Sequence, residues 1–323
     1  MAPPPVTPVP LLNYPDASVS DYRFALNSEG DQIIFERSVN KSPAVLFYAA
    51  LNSPIQPSLF PPNSHYNSAT RPDWSWSNGQ IAFCIDGGIV ITDADGSNVS
   101  FLSSTKGMIY PAWYPNVPAL AVMNNNPAPN PHTSVISGSG ELDIPVVAGT
   151  TVWAGMPSVN PQNPQQFAFA GQYIGSQIKY NQDTNYIWFV DRGQDPVVIR
   201  PLDKNANVTG PFEAAYQGRA PWWSPDGNWI AFESNRDAPA NSGHYAIYVQ
   251  DSGGVNSAMQ VTDYKYNGNH PKWFANGTGL VATLLRRRRR RKEDSTVSTS
   301  RPSSAEVRHG KRSSLREPQG AAA

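Results

Sequence analysis

The side chains that could do chemistry are few, and they form no complete catalytic motif. The chain has five histidines and one cysteine, Cys84, but no G-x-S-x-G nucleophile elbow, no H-E-x-x-H metal pair and no cysteine pair for zinc. Asp93, Asp95 and Gly96 resemble the start of a calcium loop, yet the downstream glutamate is absent, so we interpret them as turn residues. We therefore expect no catalytic residue, and no cofactor unless histidines hold a divalent metal.

Cys84 lies in the hydrophobic run Ile81 to Cys84, where a strand is expected. We interpret it as a small buried residue rather than a nucleophile. A single cysteine cannot form an internal disulfide, so the redox compartment is left open.

Four histidines occupy two kinds of predicted loop. His65 and His270 precede tryptophan-bearing strands, whereas His132 and His244 follow the next strand along the chain. In an up-and-down antiparallel sheet these two kinds of loop lie at the same end, so we expect all four histidines on one face. The alternative is that they are unrelated, solvated loop residues.

The elements that must position these residues come from a repeated pattern: proline, any residue, an aromatic residue, a polar turn and a hydrophobic run. The clearest copies are 221–232 (PWWSPDGNWIAF), 72–83 (PDWSWSNGQIAF) and 271–282 (PKWFANGTGLVA). Taking Phe24 as the aromatic anchor of a copy without proline, the six anchors are residues 24, 74, 113, 159, 223 and 273. Their uneven spacing of about 40 to 60 residues is typical of four-stranded propeller blades joined by loops of variable length.

Each repeat can be divided into strands because Gly, Asn and Asp mark the turns between hydrophobic runs. In the fifth repeat, Trp229 to Glu233, Tyr245 to Gln250 and Met259 to Asp263 are predicted to follow the inner strand. No segment shows a sustained helical period, so we expect almost no helix. The repeat tryptophans are expected in the core, wedged between neighbouring blades.

Residues just before the proline of each repeat should surround the central channel. These are Asp21, Arg71, Tyr110, Met156, Ala220 and His270, with Arg219 adjacent. A concave rim of this kind is the default place for a ligand. We select Arg71, Tyr110, Arg219, His244, His270 and His65 as candidate ligand-binding residues, the alternative being that they only pack blade against blade.

These repeats resemble those of TolB-type propellers built from WD-like repeats, in which a P-x-W-S-P-D-G-x-x-I-A-F stretch opens each blade. The match is close at 221–232, and the resemblance covers roughly residues 21–285. It implies an all-β fold, a six-bladed propeller of four-stranded antiparallel blades with an incomplete last blade. It does not imply one activity, since similar propellers dock proteins, accompany peptidase domains or carry polysaccharide lyase sites.

The two ends of the chain differ from this domain. Residues 1–20 include Val9 to Tyr14, which could close the ring as a strand, and they show no signal peptide. Residues 286–323 hold twelve basic against four acidic residues and few large apolar ones, so we expect disorder. Three interpretations stay open for this segment: a frameshifted or truncated gene end, a solvated linker, or a basic arm in which Arg286 to Arg291 bind nucleic acid.

The function predicted from these patterns is a non-catalytic binding module that docks a protein or carbohydrate ligand at the channel mouth. The alternative is a polysaccharide lyase or hydrolase that uses a histidine or metal site on the same face. No stretch approaches the ~20 apolar residues of a membrane helix. As written the chain would stay in the cytoplasm, although many proteins with similar repeats are periplasmic or secreted.

Overall fold

The computed structural model describes residues 7–12, 18–51, 55–62, 68–125, 132–137, 152–173, 186–203, 216–240 and 242–285. Within these ranges the ordered elements are β-strands and two single 3₁₀ turns, Ser103–Thr105 and Tyr264–Tyr266, with no α-helix. The expected scarcity of helix is confirmed for this part of the chain. No helix in it is long and apolar enough to cross a membrane. His65 and the basic segment 286–323 lie outside the described residues.

The strands pair in chain order into antiparallel sheets. The first blade contains β1 Val19–Leu26, β2 Gln32–Val39, β3 Val45–Ala50 and β4 Ser58–Leu59; the second contains β5 Thr70–Trp74, β6 Ile81–Ile85, β7 Gly88–Thr92 and β8 Ser100–Leu102. The third contains β9 Met108–Trp113, β10 Ala119–Asn124 and β11 His132–Ser137. The fourth contains β12 Val152–Val159, β13 Gln166–Tyr173, β14 Tyr186–Asp191 and β15 Val198–Pro201; the fifth contains β16 Gly218–Trp223, β17 Trp229–Ser234, β18 Ala246–Asp251 and β19 Met259–Gln260.

The last repeat forms a hairpin rather than a blade. Its strands are β20 Gly268–Trp273 and β21 Leu280–Leu284, which make a two-stranded sheet. The described residues thus form five blades of three or four strands, and the prediction of six blades is wrong. Each sequence repeat marks one inner strand, so six repeats predicted six blades. The sixth inner strand pairs with only one further strand and does not form a blade. Residues 7–12, which overlap the expected closing strand, are not in a strand, although Leu12 packs against the first blade.

Hydrophobic clusters fill the spaces between successive sheets. One cluster joins Ala25, Ile34 and Leu46 of the first blade to Trp74 and Phe83 of the second, and comparable clusters join each later pair of blades. Val281 and Phe274 of the hairpin pack with Phe24, Leu26 and Phe35 of the first blade. The hairpin therefore connects the fifth blade, which β20 contacts, back to the first.

Two repeat tryptophans, Trp113 and Trp223, join neighbouring blades by hydrogen bonds as well as by burial. Trp113 donates its backbone N–H to Asp73 Oδ2 at 2.8 Å and its indole N–H to the Asp73 carbonyl at 3.2 Å. Trp223 makes the same pair of contacts with Ser158, at 3.3 and 3.2 Å. Trp74, Trp113 and Trp223 are buried, which confirms their assignment to the core, whereas Trp273 is only half-buried and its assignment is not confirmed.

Every inner strand has a one-residue register shift relative to the second strand of its sheet. The strand pairing also shows that the sequence alignment of the first repeat was displaced. Trp74 pairs with Ile81, and the equivalent pair in the first blade is Leu26 with Ile33. Leu26 therefore takes the tryptophan position and Arg23 takes the position before the proline. The expectation that Phe24 and Asp21 hold these positions was wrong, because the first repeat has neither the proline nor the tryptophan that fixes the alignment elsewhere.

An uncommon backbone conformation accompanies the register shift in every repeat except the first. The residue before the proline has positive φ in five repeats: Arg71 (55°), Tyr110 (56°), Met156 (50°), Ala220 (48°) and His270 (48°). Left-handed conformations cost an L-residue roughly 1–2 kcal/mol, and they persist only where the surroundings determine them. The same strained geometry thus recurs at the position that the sequence places around the channel.

Ala220→Gly should show this strain directly. Glycine adopts positive φ without steric cost but loses about 0.5–1 kcal/mol to chain entropy, so we expect the free energy of unfolding to stay level or to rise by up to about 1 kcal/mol. Ala119→Gly, at a similarly half-buried strand position without positive φ, should lose about 0.5–1 kcal/mol. Denaturant titration of both variants makes the comparison, and equal losses would contradict the strain.

Candidate functional site

A cavity of about 70 Å³ lies where the six inner strands meet. One equivalent residue from each repeat lines it, followed in the chain by Phe24 or a proline that also lines it: Arg23, Arg71, Tyr110, Met156, Ala220 and His270. Trp222 and Lys272 complete the wall. The structure therefore brings Arg71, Tyr110 and His270 together, as the spacing of the repeats indicated. Their role in ligand binding stays a prediction.

Two other selected residues, Arg219 and His244, do not line this cavity, and His65 lies outside the described residues. Arg219 precedes Ala220, but its Nε donates to Glu233 at 2.7 Å and its guanidinium lies 4.1 Å from the ring centre of Tyr245. His244 places Nδ1 at 3.0 Å from the Tyr264 carbonyl oxygen, in the outer part of the fifth blade. Among the described histidines only His270 lines the cavity. The expectation that His65, His132, His244 and His270 share one face of the propeller stays a prediction.

Two buried glutamates support the strained backbones, and the sequence analysis missed both. Glu36 Oε1 accepts the backbone N–H of Arg71 at 2.6 Å, and Glu233 Oε2 accepts the backbone N–H of His270 at 2.9 Å. Both carboxylates stand at the same position of the second strand and receive the N–H of the following repeat. Their side chains are only 4% and 1% exposed. The available sequence signal was a glutamate directly after the hydrophobic run of two second strands, residues 33–35 and 230–232.

Each glutamate is also paired with an arginine. Arg23 donates to Glu36 at 3.1 Å, and Arg219 pairs with Glu233 at 2.7 Å. Burial raises the pKa of Glu233, and the positive charge of Arg219 opposes that increase. Removing one partner of such a buried pair leaves an uncompensated charge, which is strongly destabilising.

Cys84 occupies the position of these glutamates in the second blade. It is buried, and burial raises the pKa of its thiol to about 11. A hydrogen bond from the backbone of Tyr110 acts in the opposite direction. The neutral thiol thus sits where the glutamates of two other repeats receive a backbone N–H, which agrees with a structural role rather than with a nucleophile.

Cationic and aromatic side chains alternate around one side of the cavity. The Arg23 guanidinium lies 4.6 Å from the ring centre of Tyr22 and 5.6 Å from that of Tyr110. Arg71 lies 4.7 Å from the same Tyr110 ring. Contacts of this type contribute about 0.5–2 kcal/mol each, increasing as water is excluded. They fix the planes of two guanidinium groups at the rim.

An ion pair crosses the interior of the ring. Lys272 Nζ lies 2.8 Å from Asp73 Oδ1 and 3.8 Å from the ring centre of Trp222. Lys272 and Asp73 each precede the tryptophan of their repeat, so they are equivalent positions in non-adjacent repeats. Burial lowers the pKa of Lys272, and the charge of Asp73 opposes that decrease.

Three polar nitrogens of the cavity residues are buried without a hydrogen-bond partner among the described residues. They are Nε of Arg23, Nε of Arg71 and Nε2 of His270. An unsatisfied buried donor costs about 1–3 kcal/mol, and native structures contain few of them. Their concentration in one cavity marks it as the candidate site.

His270 is held in its neutral form. Burial lowers its pKa well below 6.5, and the charges of Arg23, Arg219, Lys272 and Arg71 lower it further. Its ring also meets Tyr22 edge-on, with centroids 4.7 Å apart. In the part of the chain that the structure describes, no cluster of three or more His, Cys, Asp or Glu residues could hold a metal ion.

The Lys272–Asp73 pair can be tested by a double-mutant cycle. We expect Lys272→Met to lower the free energy of unfolding by about 3–5 kcal/mol, because it leaves Asp73 charged and buried. Asp73→Asn should remove part of that penalty while keeping an oxygen for the Trp113 N–H, giving a coupling energy of about 1–3 kcal/mol by denaturant titration. Asp95→Asn, in an exposed turn, is the control that should combine additively with Lys272→Met. Additive behaviour of the Asp73 pair would show that the two groups do not interact.

The depressed pKa of His270 predicts a pH dependence of stability. The unfolded chain takes up the histidine proton near pH 6.5 while the folded protein does not, so stability is lost as the pH falls below that value. We expect the free energy of unfolding to decrease between about pH 7 and pH 5 more steeply in the wild type than in His270→Gln, by on the order of 1 kcal/mol per pH unit. The other charged groups around His270, including Glu233, are common to both proteins. Parallel stability curves would show that His270 titrates normally.

Comparisons with known proteins identify the fold. No protein-family profile matches the chain, and no curated protein matches it. An oligogalacturonate lyase in complex with manganese is 13% identical, with a TM-score of 0.51 over 82% of this chain and 72% of the lyase. A nidogen–laminin complex is 10% identical, with a TM-score of 0.50 over 77% of this chain and 82% of the matched chain. A putative TolB from Agrobacterium tumefaciens is 13% identical, with a TM-score of 0.42 over 85% of this chain and 73% of the TolB chain. The likeness to the lyase and to the nidogen–laminin complex shows a β-propeller fold and, at these identities, nothing finer.

Proposed function

We propose that this chain is a non-catalytic binding module that takes a protein or carbohydrate ligand at the channel mouth. The observation that carries this proposal is the cavity formed by the same position of six repeats, five of them with left-handed backbones. Strain of this kind is maintained only by a surrounding network, and it clusters at ligand sites. Here the network includes the buried acceptors Glu36 and Glu233.

The wall of the cavity has the composition of a recognition site. Apolar surface comes from the prolines, Met156, Ala220 and Trp222, and polar groups from Arg23, Arg71, Tyr110 and His270. Concave sites with apolar walls and a few placed polar groups are the usual form of a ligand site. The arginines lie against tyrosine rings, so little side-chain entropy would be lost on binding.

The alternative is a polysaccharide lyase or hydrolase on the same scaffold. Lys272 favours it, because a buried amine with a lowered pKa beside His270 is a candidate for proton transfer. Against this, Lys272 is engaged by Asp73 at 2.8 Å. The test is an assay of acidic oligosaccharides with and without added manganese. An unsaturated or newly reducing product would show that the chain is an enzyme and not a non-catalytic binding module.

The binding proposal predicts that ligands depend on the mouth and not on the opposite end of the ring. We expect wild-type protein on peptide and glycan arrays to bind members that the double variant Arg71→Ala, His270→Ala no longer retains. The variant Asp95→Ala, Thr278→Ala changes two exposed turn residues at the opposite end and should keep them. Circular dichroism should show that both variants fold. Arrays with no specific member, or with members retained by the mouth variant, would remove the channel mouth as the binding site.

A further inference from the structure

The charges of the cavity wall do not balance, and the excess is positive. Three buried carboxylates are present, and each is already engaged: Glu36 by Arg23, Glu233 by Arg219 and Asp73 by Lys272. Each also accepts a backbone N–H from a neighbouring repeat. Arg71 is the cation left over. Among the described residues its side chain has no carboxylate partner, and its Nη1 donates only to Thr70 Oγ1 at 3.1 Å.

The unsatisfied nitrogens converge on the same place. Arg71 and Arg23 each contribute an Nε without an acceptor, and His270 contributes Nε2. All three residues line the one cavity. Because His270 is neutral, it adds no charge of its own but can donate a hydrogen bond in the appropriate tautomer. An oxyanion that reached the rim would thus meet one uncompensated guanidinium and further donors.

The volume of the cavity limits which anionic groups can enter it. Its volume of about 70 Å³ is well below the roughly 300 Å³ at which pockets for whole small molecules begin. A cavity of this volume holds only a few water molecules, so the part of a ligand that enters it is small, such as a carboxylate with its first methylenes. The apolar side chains of Met156, Ala220 and Trp222 suit those methylenes.

We propose that the cavity binds the side-chain carboxylate of an extended acidic peptide, with Arg71 as the anchoring cation and Arg23 and His270 as neighbouring donors. This rests on the proposed function, because it assigns a partner to the channel mouth. A guanidinium pairs with a carboxylate through two parallel hydrogen bonds, and the stacking of Arg71 on Tyr110 holds its plane for that contact. A glutamate side chain reaches farther into such a cavity than an aspartate side chain.

The experiment uses isothermal titration calorimetry with the full chain. The probes are an acetylated and amidated glutamate tetrapeptide, the matching glutamine tetrapeptide, saturated oligogalacturonate and inorganic phosphate. The variants are Arg71→Met, which keeps the packing on Tyr110, Arg71→Lys, which keeps the charge, and Arg192→Met as the matched control outside the cavity. Thermal denaturation of each variant checks its folding.

We expect the glutamate peptide to bind and the glutamine peptide not to bind. Arg71→Met should raise the Kd about 10- to 100-fold, Arg71→Lys should raise it less, and Arg192→Met should leave it unchanged. Equal binding of both peptides, equal effects of Arg71→Met and Arg192→Met, or Arg71-dependent binding of oligogalacturonate or phosphate alone would each overturn the proposal. The array experiment distinguishes failure of the carboxylate assignment from failure of the binding module. If array ligands require the channel mouth but Arg71→Met does not weaken binding of the glutamate peptide, the carboxylate assignment is wrong and the binding module stands.

Discussion

The interaction on which the cavity depends is a hydrogen bond from a strained backbone N–H to a buried side-chain acceptor on the preceding blade. Glu36 accepts from Arg71, and Glu233 accepts from His270. In each case the bond fixes the register shift of one inner strand and connects two repeats at the same time. The direction of the cavity side chains follows from that backbone geometry, since the side chain of a left-handed residue leaves the strand at a different angle from its neighbours.

Burying these acceptors as carboxylates has electrostatic consequences for the whole rim. A buried carboxylate needs a cation, and Arg23 and Arg219 supply it. The cations in turn lie on tyrosine rings, and their charges add to burial in lowering the pKa of His270. In the second blade the equivalent position holds Cys84, whose neutral thiol needs no cation. The residue whose backbone bonds to it, Tyr110, is aromatic rather than charged. The second-strand residues Glu36, Glu233 and Cys84 therefore determine where the rim needs a cation beside the second strand.

The sequence predicted the elements that depend on local patterns and missed those that depend on pairing. The proline two residues before the tryptophan located Arg71, Tyr110 and His270, because that proline lies within the register shift. The first repeat lacks the proline, and the pairing of Leu26 with Ile33 was needed to show that Arg23 belongs to the ring. The roles of Glu36 and Glu233 could not be predicted either, because a glutamate in a strand reveals nothing about the N–H that it meets on another repeat. The contact of His244 with Tyr264 was unpredictable for a related reason, since the sequence gives the loop of a residue but not its partner in the following loop.

The difference between six repeats and five blades also has a physical explanation. Burial in this fold is concentrated in the second and third strands: β6 and β14 are buried at every residue, whereas the outer strands β4 and β8 are largely exposed. The inner strand of each sheet nevertheless contacts the preceding sheet mainly through that sheet's first two strands. The hairpin of β20 and β21 supplies both, with Val281 packed on the first blade and Thr283 Oγ1 donating to the Tyr22 carbonyl at 2.6 Å. Because the cavity is built from inner strands alone, His270 and Lys272 reach it from a hairpin as effectively as Arg71 does from a complete blade.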